Sequence, residues 1–347
     1  MRRFRCRFLP LACLVLLVPV LFGCAGRGMV RDASFFAMDT VITVRAALTD
    51  PAEASRVFGV CEDAVREAEA ALSAHGDSPL FRFNGGEIDA LALDGLLGDC
   101  IRTSLAVMDA TEDAFDCTLG PLARLWNVTG GGPKPTDDAI REALTHTGRA
   151  CYDFSPDRVT RLDSEAALDF GGIGKGAAAD LLAERLGDDP ALAWAVCSLG
   201  GNIALIGTKP DGEEFRVGVR DPMDPAGQIG VLTLAGGFVS VSGSYERYFE
   251  EDGVRYHHIF DGRTGCPAES GLVSAAVIAE NGTLADALST ALFVMGEEGA
   301  ADLYAAGTFA FEALLVGEDG HIVLTPGLAG RFEPRADVNV TSISIPD

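Results

Sequence analysis

The stretch from Ser240 to Gly296 constrains this chain more than any other. It reads Ser240-Val-Ser-Gly-Ser-Tyr-Glu-Arg-Tyr-Phe249, then Tyr256-His257-His258-Ile259-Phe260-Asp261-Gly262-Arg263-Thr264-Gly265, then Thr283-Leu-Ala-Asp286-Ala-Leu-Ser289-Thr290-Ala-Leu-Phe-Val-Met295. An alternating strand runs into a Ser/Gly turn, and a second strand carries a His pair into an Asp-Gly turn. An apolar helix then opens with an oxygen-rich first turn. On that helix Asp286 and Thr290 are four apart, so their side chains point the same way. Carboxylate and hydroxyl oxygens are hard ligands, better suited to Mg²⁺ than to zinc. The same residues fit a capping box with Thr283 as N-cap and Asp286 at N3, and spacing alone favours capping.

The N-terminus reads as an address. Arg2, Arg3, Arg5 and Arg7 precede an apolar run of 14 residues, Leu9 to Phe22, short of the roughly 20 needed to span a bilayer. Leu21-Phe22-Gly23-Cys24 resembles a bacterial lipobox. Residues 1–23 are therefore expected to be a lipoprotein signal peptide, leaving 24–347 as one domain with Cys24 acylated at its start. More than one acyl chain gives stable anchoring, so the expected location is a bacterial membrane, on the periplasmic face. Losing the four arginines deepens an already acidic net charge of −24. That surface argues against nucleic acid as a partner. Cys61, Cys100, Cys117, Cys151, Cys197 and Cys266 are too widely and irregularly spaced for a disulfide scaffold or a zinc site, and read as buried thiols.

Elsewhere, alternation predicts one strand over 34–47, and amphipathic spacing predicts helices over 52–72, 95–111 and 137–144. A strand and turn are expected over 194–206, strands over 213–221 and 229–239, and a closing pair over 309–325. The tail from Arg331 shows no period. Gly130-Gly-Gly-Pro-Lys-Pro135 is a loop, not an interdomain linker. Strands outnumber helices and are joined by both tight turns and helices. The expected class is α+β, with large, mostly antiparallel sheets and flanking helices.

A second anchor is Leu168-Asp169-Phe170-Gly171-Gly172-Ile173-Gly174-Lys175-Gly176, opening a helix expected over 177–186. Its spacing is neither a dinucleotide fingerprint nor a Walker A motif. It offers unhindered backbone, helix N-terminal amides suited to phosphate, and one Lys as a point charge. Met38-Asp39-Thr40, Ser73-Ala-His75-Gly-Asp-Ser78, Ala114-Phe115-Asp116-Cys117-Thr118-Leu119-Gly120-Pro121-Leu122 and Ser198-Leu-Gly-Gly-Asn202 complete the set.

Together and in this order, these strings resemble the ApbE family, the FAD:protein FMN transferases, from about Phe36 to Val316. Asp39 stands where the family usually has Gly, Cys117 and Gly262 where Pro is common, Ser244 where an acid is common, and Asn202 where Asp is. The resemblance implies Mg²⁺-dependent transfer of FMN from FAD to a Thr or Ser hydroxyl of another protein, releasing AMP. It implies Mg²⁺ on Asp286, Thr290 and the Gly172 carbonyl, with Ser289 in support, and His258 as general base. Lys175 would meet phosphate and Asp169 a polar edge of the nucleotide. Met38, His75, Ala114, Phe115, Asp116 and Ile259 would line the FAD, with His75 at an aromatic position. His257, on the opposite strand face, reads as structural. The implied acceptors are flavoprotein subunits of membrane redox complexes. Water in place of the acceptor would make the chain an FAD pyrophosphatase yielding FMN and AMP. Without chemistry it would be an FAD-binding lipoprotein.

Overall fold

The computed structural model describes residues 29–224 and 226–344; the signal segment and Cys24 lie outside them. A nine-stranded sheet runs in the order Met29–Ala37, Thr40–Leu48, Leu192–Leu199, Asn202–Gly207, Gly237–Gly243, Leu272–Ala279, Glu312–Gly317, Ile322–Leu324 and Val340–Ser342. Every pairing is antiparallel except the last. This is the α+β architecture expected from the sequence. Alternation builds it locally: in Thr40–Leu48, Ile42, Val44 and Ala46 are buried, while Val41, Thr43 and Arg45 face out.

Two strand expectations need correction. Residues 34–47 form a hairpin rather than one strand, turning at Met38 (φ 49°) and Asp39 (φ 57°). A two-residue turn with both residues left-handed matches strand twist, and Asp tolerates that region better than most side chains. Glu69 holds the turn by accepting the Met38 N–H at 2.7 Å. Residues 229–239 split into Gln228–Leu234 and Gly237–Gly243, which belong to different sheets. Gly237, at φ 95°, supplies the break. The tail also adds strands Phe332–Pro334 and Val340–Ser342; both are too short to show a period.

The described residues include helices α1 (Ala54–Leu72), α2 (Pro79–Asn84), α3 (Gly95–Ala110), α4 (Gly120–Trp126), α5 (Asp137–Leu144), α6 (Gly174–Gly187) and α7 (Gly282–Ala306). Helices α6 and α7 bury Ala178, Leu182, Ala287 and Leu288 beneath one face of the large sheet. The other face packs Leu205, Val239 and Leu314 against Phe215, Leu232 and Phe332 of a three-stranded sheet. A strand covered on both faces can be almost continuously apolar, as Leu272–Ala279 is. Of the six cysteines among the described residues, five are buried and Cys266 is half-buried, and all six are free thiols.

Helix α7 starts one residue before Thr283. Its N-cap is Asn281, whose Oδ1 accepts the Leu284 N–H at 2.7 Å, so the capping-box alternative for Thr283 and Asp286 does not hold. Helices α6 and α7 instead cap each other. Asp180 of α6 accepts the Gly282 and Thr283 N–H groups at 2.6 and 2.8 Å, and Asp286 of α7 accepts the Gly176 N–H at 2.9 Å. Their crossing is close: a Cβ on Gly176 would stand 2.1 Å from the Gly282 carbonyl oxygen, so only glycine fits there. Further along, α7 is broken at Gly296 (φ 74°, ψ −171°), which leaves the oxygen-rich front segment as a unit of its own.

Candidate active site

The buried Asp286 carboxylate joins three segments that are distant in sequence. Its Oδ1 accepts from Ser240 Oγ at 2.8 Å and Asn202 Nδ2 at 3.1 Å, and its Oδ2 accepts from Gly176 N at 2.9 Å. Strand alternation puts Ser240 and Ser242 on one face of Gly237–Gly243. Ser242 Oγ lies 2.8 Å from Ser289 Oγ and 3.2 Å from Thr290 Oγ1, while Ser289 Oγ donates to the Asp286 carbonyl at 2.9 Å. A Cβ on Gly172 would stand 3.0 Å from Thr290 Oγ1 and 3.3 Å from Phe115 Cε2. Asp286, Ser289, Ser240 and Asn202 are buried, whereas Thr290, Gly172 and Ser242 are half-buried. The cluster therefore opens toward solvent at Thr290 and Gly172.

This donor set fits Mg²⁺. It consists of oxygens only, with one carboxylate, and Mg²⁺ is commonly held by one or two carboxylates plus substrate phosphates. A carboxylate has about four acceptor positions, and three on Asp286 are filled by protein donors. Among the described residues no group of three or more His, Cys, Asp and Glu side chains could hold a metal by itself. A cation here would depend on hydroxyl, carbonyl and ligand oxygens beside Asp286.

Of the other predicted residues, Lys175, Met38, Asp169 and Phe115 lie about the start of α6. Lys175 is half-buried in its first turn and makes no ion pair among the described residues. Met38 Cε comes within 3.7 Å of a Cβ on Gly174, which brings the hairpin turn onto the helix. Asp169 Oδ1 accepts the Gly171 N–H at 2.7 Å, tightening the glycine loop. Ala114 and Phe115 are buried, Phe115 against Gly172. Asp116 Oδ1 accepts from Thr118 N at 2.7 Å and Thr118 Oγ1 at 2.6 Å. Burial raises the Asp116 carboxyl above its usual range, against the pull of those bonds. His75 is exposed, and its main-chain N–H donates to Ser73 Oγ at 3.1 Å.

The two histidines differ in environment. Buried His257 has Nε2 3.1 Å from the Ala268 carbonyl and Nδ1 accepting the Ile259 N–H at 3.3 Å, with its ring edge-on to Phe293. Its neighbour Ile259 is buried as well. The carbonyl of Arg247 accepts from both the N–H and Nδ1 of His258, each at 3.2 Å. Donation from Nδ1 leaves the Nε2 lone pair free to take a proton. Desolvation pushes His258 down to about 4, and the charges of Arg247 and Lys175 add to the shift. An unperturbed imidazole titrates near neutrality; here desolvation keeps His258 a neutral base at pH 7. The lobe carrying the pair is braced by Trp126, which packs on Phe249, Tyr256 and Phe260 and donates to the Gly265 carbonyl at 2.8 Å.

Sequence reasoning missed Ser240 and Ser242, although their i, i+2 spacing on a strand was a usable signal. Asn202 is marked only as standing where Asp is common, and Asp180 is marked by no local pattern.

The ApbE family model matches residues 38–315. The FAD:protein FMN transferase of Treponema pallidum is 33% identical over 316 residues, covering 84% of this chain and 87% of the relative. The Escherichia coli K12 protein of that name is 34% identical over 239 residues, 65% of this chain and 67% of its own. The crystal structure of the ApbE protein from Thermotoga maritima superposes with a TM-score of 0.79 at 31% identity, covering 87% of this chain and 99% of its own. The apo form of Pseudomonas stutzeri flavinyl transferase ApbE gives 0.76 at 28% identity, covering 89% and 98%.

Proposed function

This chain belongs to the ApbE family and is a transferase, and from that premise we propose that it moves FMN from FAD to a Thr or Ser hydroxyl of an acceptor protein, with Mg²⁺, releasing AMP. The observation that carries this reading is Asp286, buried and held by Gly176, Asn202 and Ser240, with Thr290 one turn on at the open edge. Asp286, Thr290 and the Gly172 carbonyl would hold Mg²⁺, which would supply the positive charge that pyrophosphate cleavage requires. The protein's own groups do the rest. First-turn amides of α6 and the Lys175 ammonium attract phosphate oxygens. His258 Nε2 accepts the proton of the acceptor hydroxyl. That oxygen bonds to the FMN-side phosphorus, the bond from this phosphorus to the bridging oxygen breaks, and AMP leaves with the bridging oxygen. Phe115, Ala114, Met38 and Ile259 supply apolar walls for the flavin nucleotide.

The test incubates the protein with FAD, Mg²⁺ and candidate acceptor domains and weighs the acceptor. A gain of one FMN on a Thr or Ser supports the reading. FMN and AMP released with no mass gain would assign a pyrophosphatase, and FAD bound but never cleaved a binding protein.

We further propose that Cys24 is lipidated and holds the enzyme to a bacterial membrane on its periplasmic side, facing redox subunits as acceptors. The reading rests on the basic start, the short apolar run and Leu21-Phe22-Gly23-Cys24. Among the described residues no helix is long and apolar enough to cross a membrane. Cys24→Ser should give unprocessed or unlipidated protein. Labelled fatty acid still entering its N-terminal region would overturn the assignment.

A further inference from the structure

Arg247 stands directly before the hairpin of Tyr248–Glu251 and Val254–His257. Its carbonyl takes both the N–H and Nδ1 of His258 at 3.2 Å, so this main chain and the imidazole are fixed together. Its side chain is exposed and makes no ion pair among the described residues. Adjacent Glu246 is instead engaged by Arg220 at 3.2 Å. Other arginines of this lobe are paired, Arg255 with Glu250 at 3.5 Å and Arg263 with Asp261 at 3.0 Å. Acids outnumber bases 51 to 27 in this chain, so a carboxylate partner is not in short supply. Lys175, the other cation whose charge reaches His258, is likewise without an ion pair among the described residues.

Resting on the functional reading above, we propose that Arg247 is a second cationic contact for the pyrophosphate of the bound dinucleotide, acting with Lys175 beside His258. The pyrophosphate of FAD brings two negative charges, and cleavage adds another to the departing phosphate. One ammonium does not match that change. A guanidinium can grip two phosphoryl oxygens at once, where a lysine acts as a point charge. The main-chain carbonyl of the same residue orients the base, so one residue sets both proton acceptor and phosphate.

The test is FAD binding to the full chain with Mg²⁺ present, read by flavin fluorescence at low and high salt. Arg247→Ala should weaken FAD by about ten- to a hundredfold at low salt, the range for a charged hydrogen bond. Screening shortens from about 10 Å at 0.1 M to about 3 Å at 1 M, so the gap from wild type should narrow sharply at high salt. Arg247→Lys should recover part of the loss, and Lys175→Ala should show the same salt behaviour. FAD affinity within twofold of wild type in Arg247→Ala at low salt would overturn the proposal. So would a loss equal at both salts, which would mark a structural role. Wild-type protein that binds no FAD would instead overturn the functional reading, and this inference with it.

Discussion

Asp286→Ala is expected to reduce FMN transfer by about 10³-fold or more, since removal of one key charge-stabilising group already costs 10²–10³. Asp286 is the carboxylate among Asp286, Ser289, Thr290 and Gly172, and three donors converge on it. Its loss should therefore also cost stability. The N–H of Gly176, Asn202 Nδ2 and Ser240 Oγ would each lose an acceptor, at about 1–3 kcal/mol for a buried group left unsatisfied. Asp286→Asn separates the two effects. Its amide oxygen can still accept from Ser240 and Asn202, so denaturant midpoints should fall less than for alanine. Its charge is gone, so transfer should fall nearly as far. Mg²⁺ should raise the melting temperature of wild type and not of either variant. If Asp286→Asn keeps the wild-type rate and Mg²⁺ dependence, the carboxylate serves only to cap α6.

His258→Ala should slow single-turnover transfer by about 10²–10⁴-fold, the range for general-base loss, while FAD affinity stays near wild type. His257→Ala serves as the control and should show mainly a stability defect, because both nitrogens of that ring are engaged with backbone groups. The pH dependence has a definite sign. His258 is held down to about 4, so its Nε2 lone pair persists through neutrality and is lost as pH falls through that value. The acid limb of kcat/KM, which reports the free enzyme, should lie near 4 and be absent in His258→Ala. For stability, the folded value lies below the unfolded one of about 6.5. The unfolded chain therefore takes the proton first, and stability falls as pH drops from about 6.5 toward 4. Wild-type rates in His258→Ala would remove the base from this residue. Asp261 would then be tested next, although its oxygens are engaged by Arg263 at 2.9–3.1 Å.

Features held by neighbours in sequence were legible before the structure. Helix α5 runs over Asp137–Leu144 as expected, because Thr136 caps it locally, its side chain accepting the Ala139 N–H. The spacing of Asp286 and Thr290 likewise marked two residues on one helix face. The Met38-Asp39 turn was hidden because neither residue is the glycine that usually announces left-handed backbone. What Asp286 does there was beyond local reading: its partners lie 110 residues away at Gly176, 84 at Asn202 and 46 at Ser240. Sequence could list the oxygens of the site, but sheet pairing and the close Gly176–Gly282 crossing decide which of them meet. The shift of His258 belongs to the fold for a similar reason. Desolvation and charges carried by Lys175 and Arg247 act through space, and side-chain chemistry alone leaves an imidazole near its ordinary value.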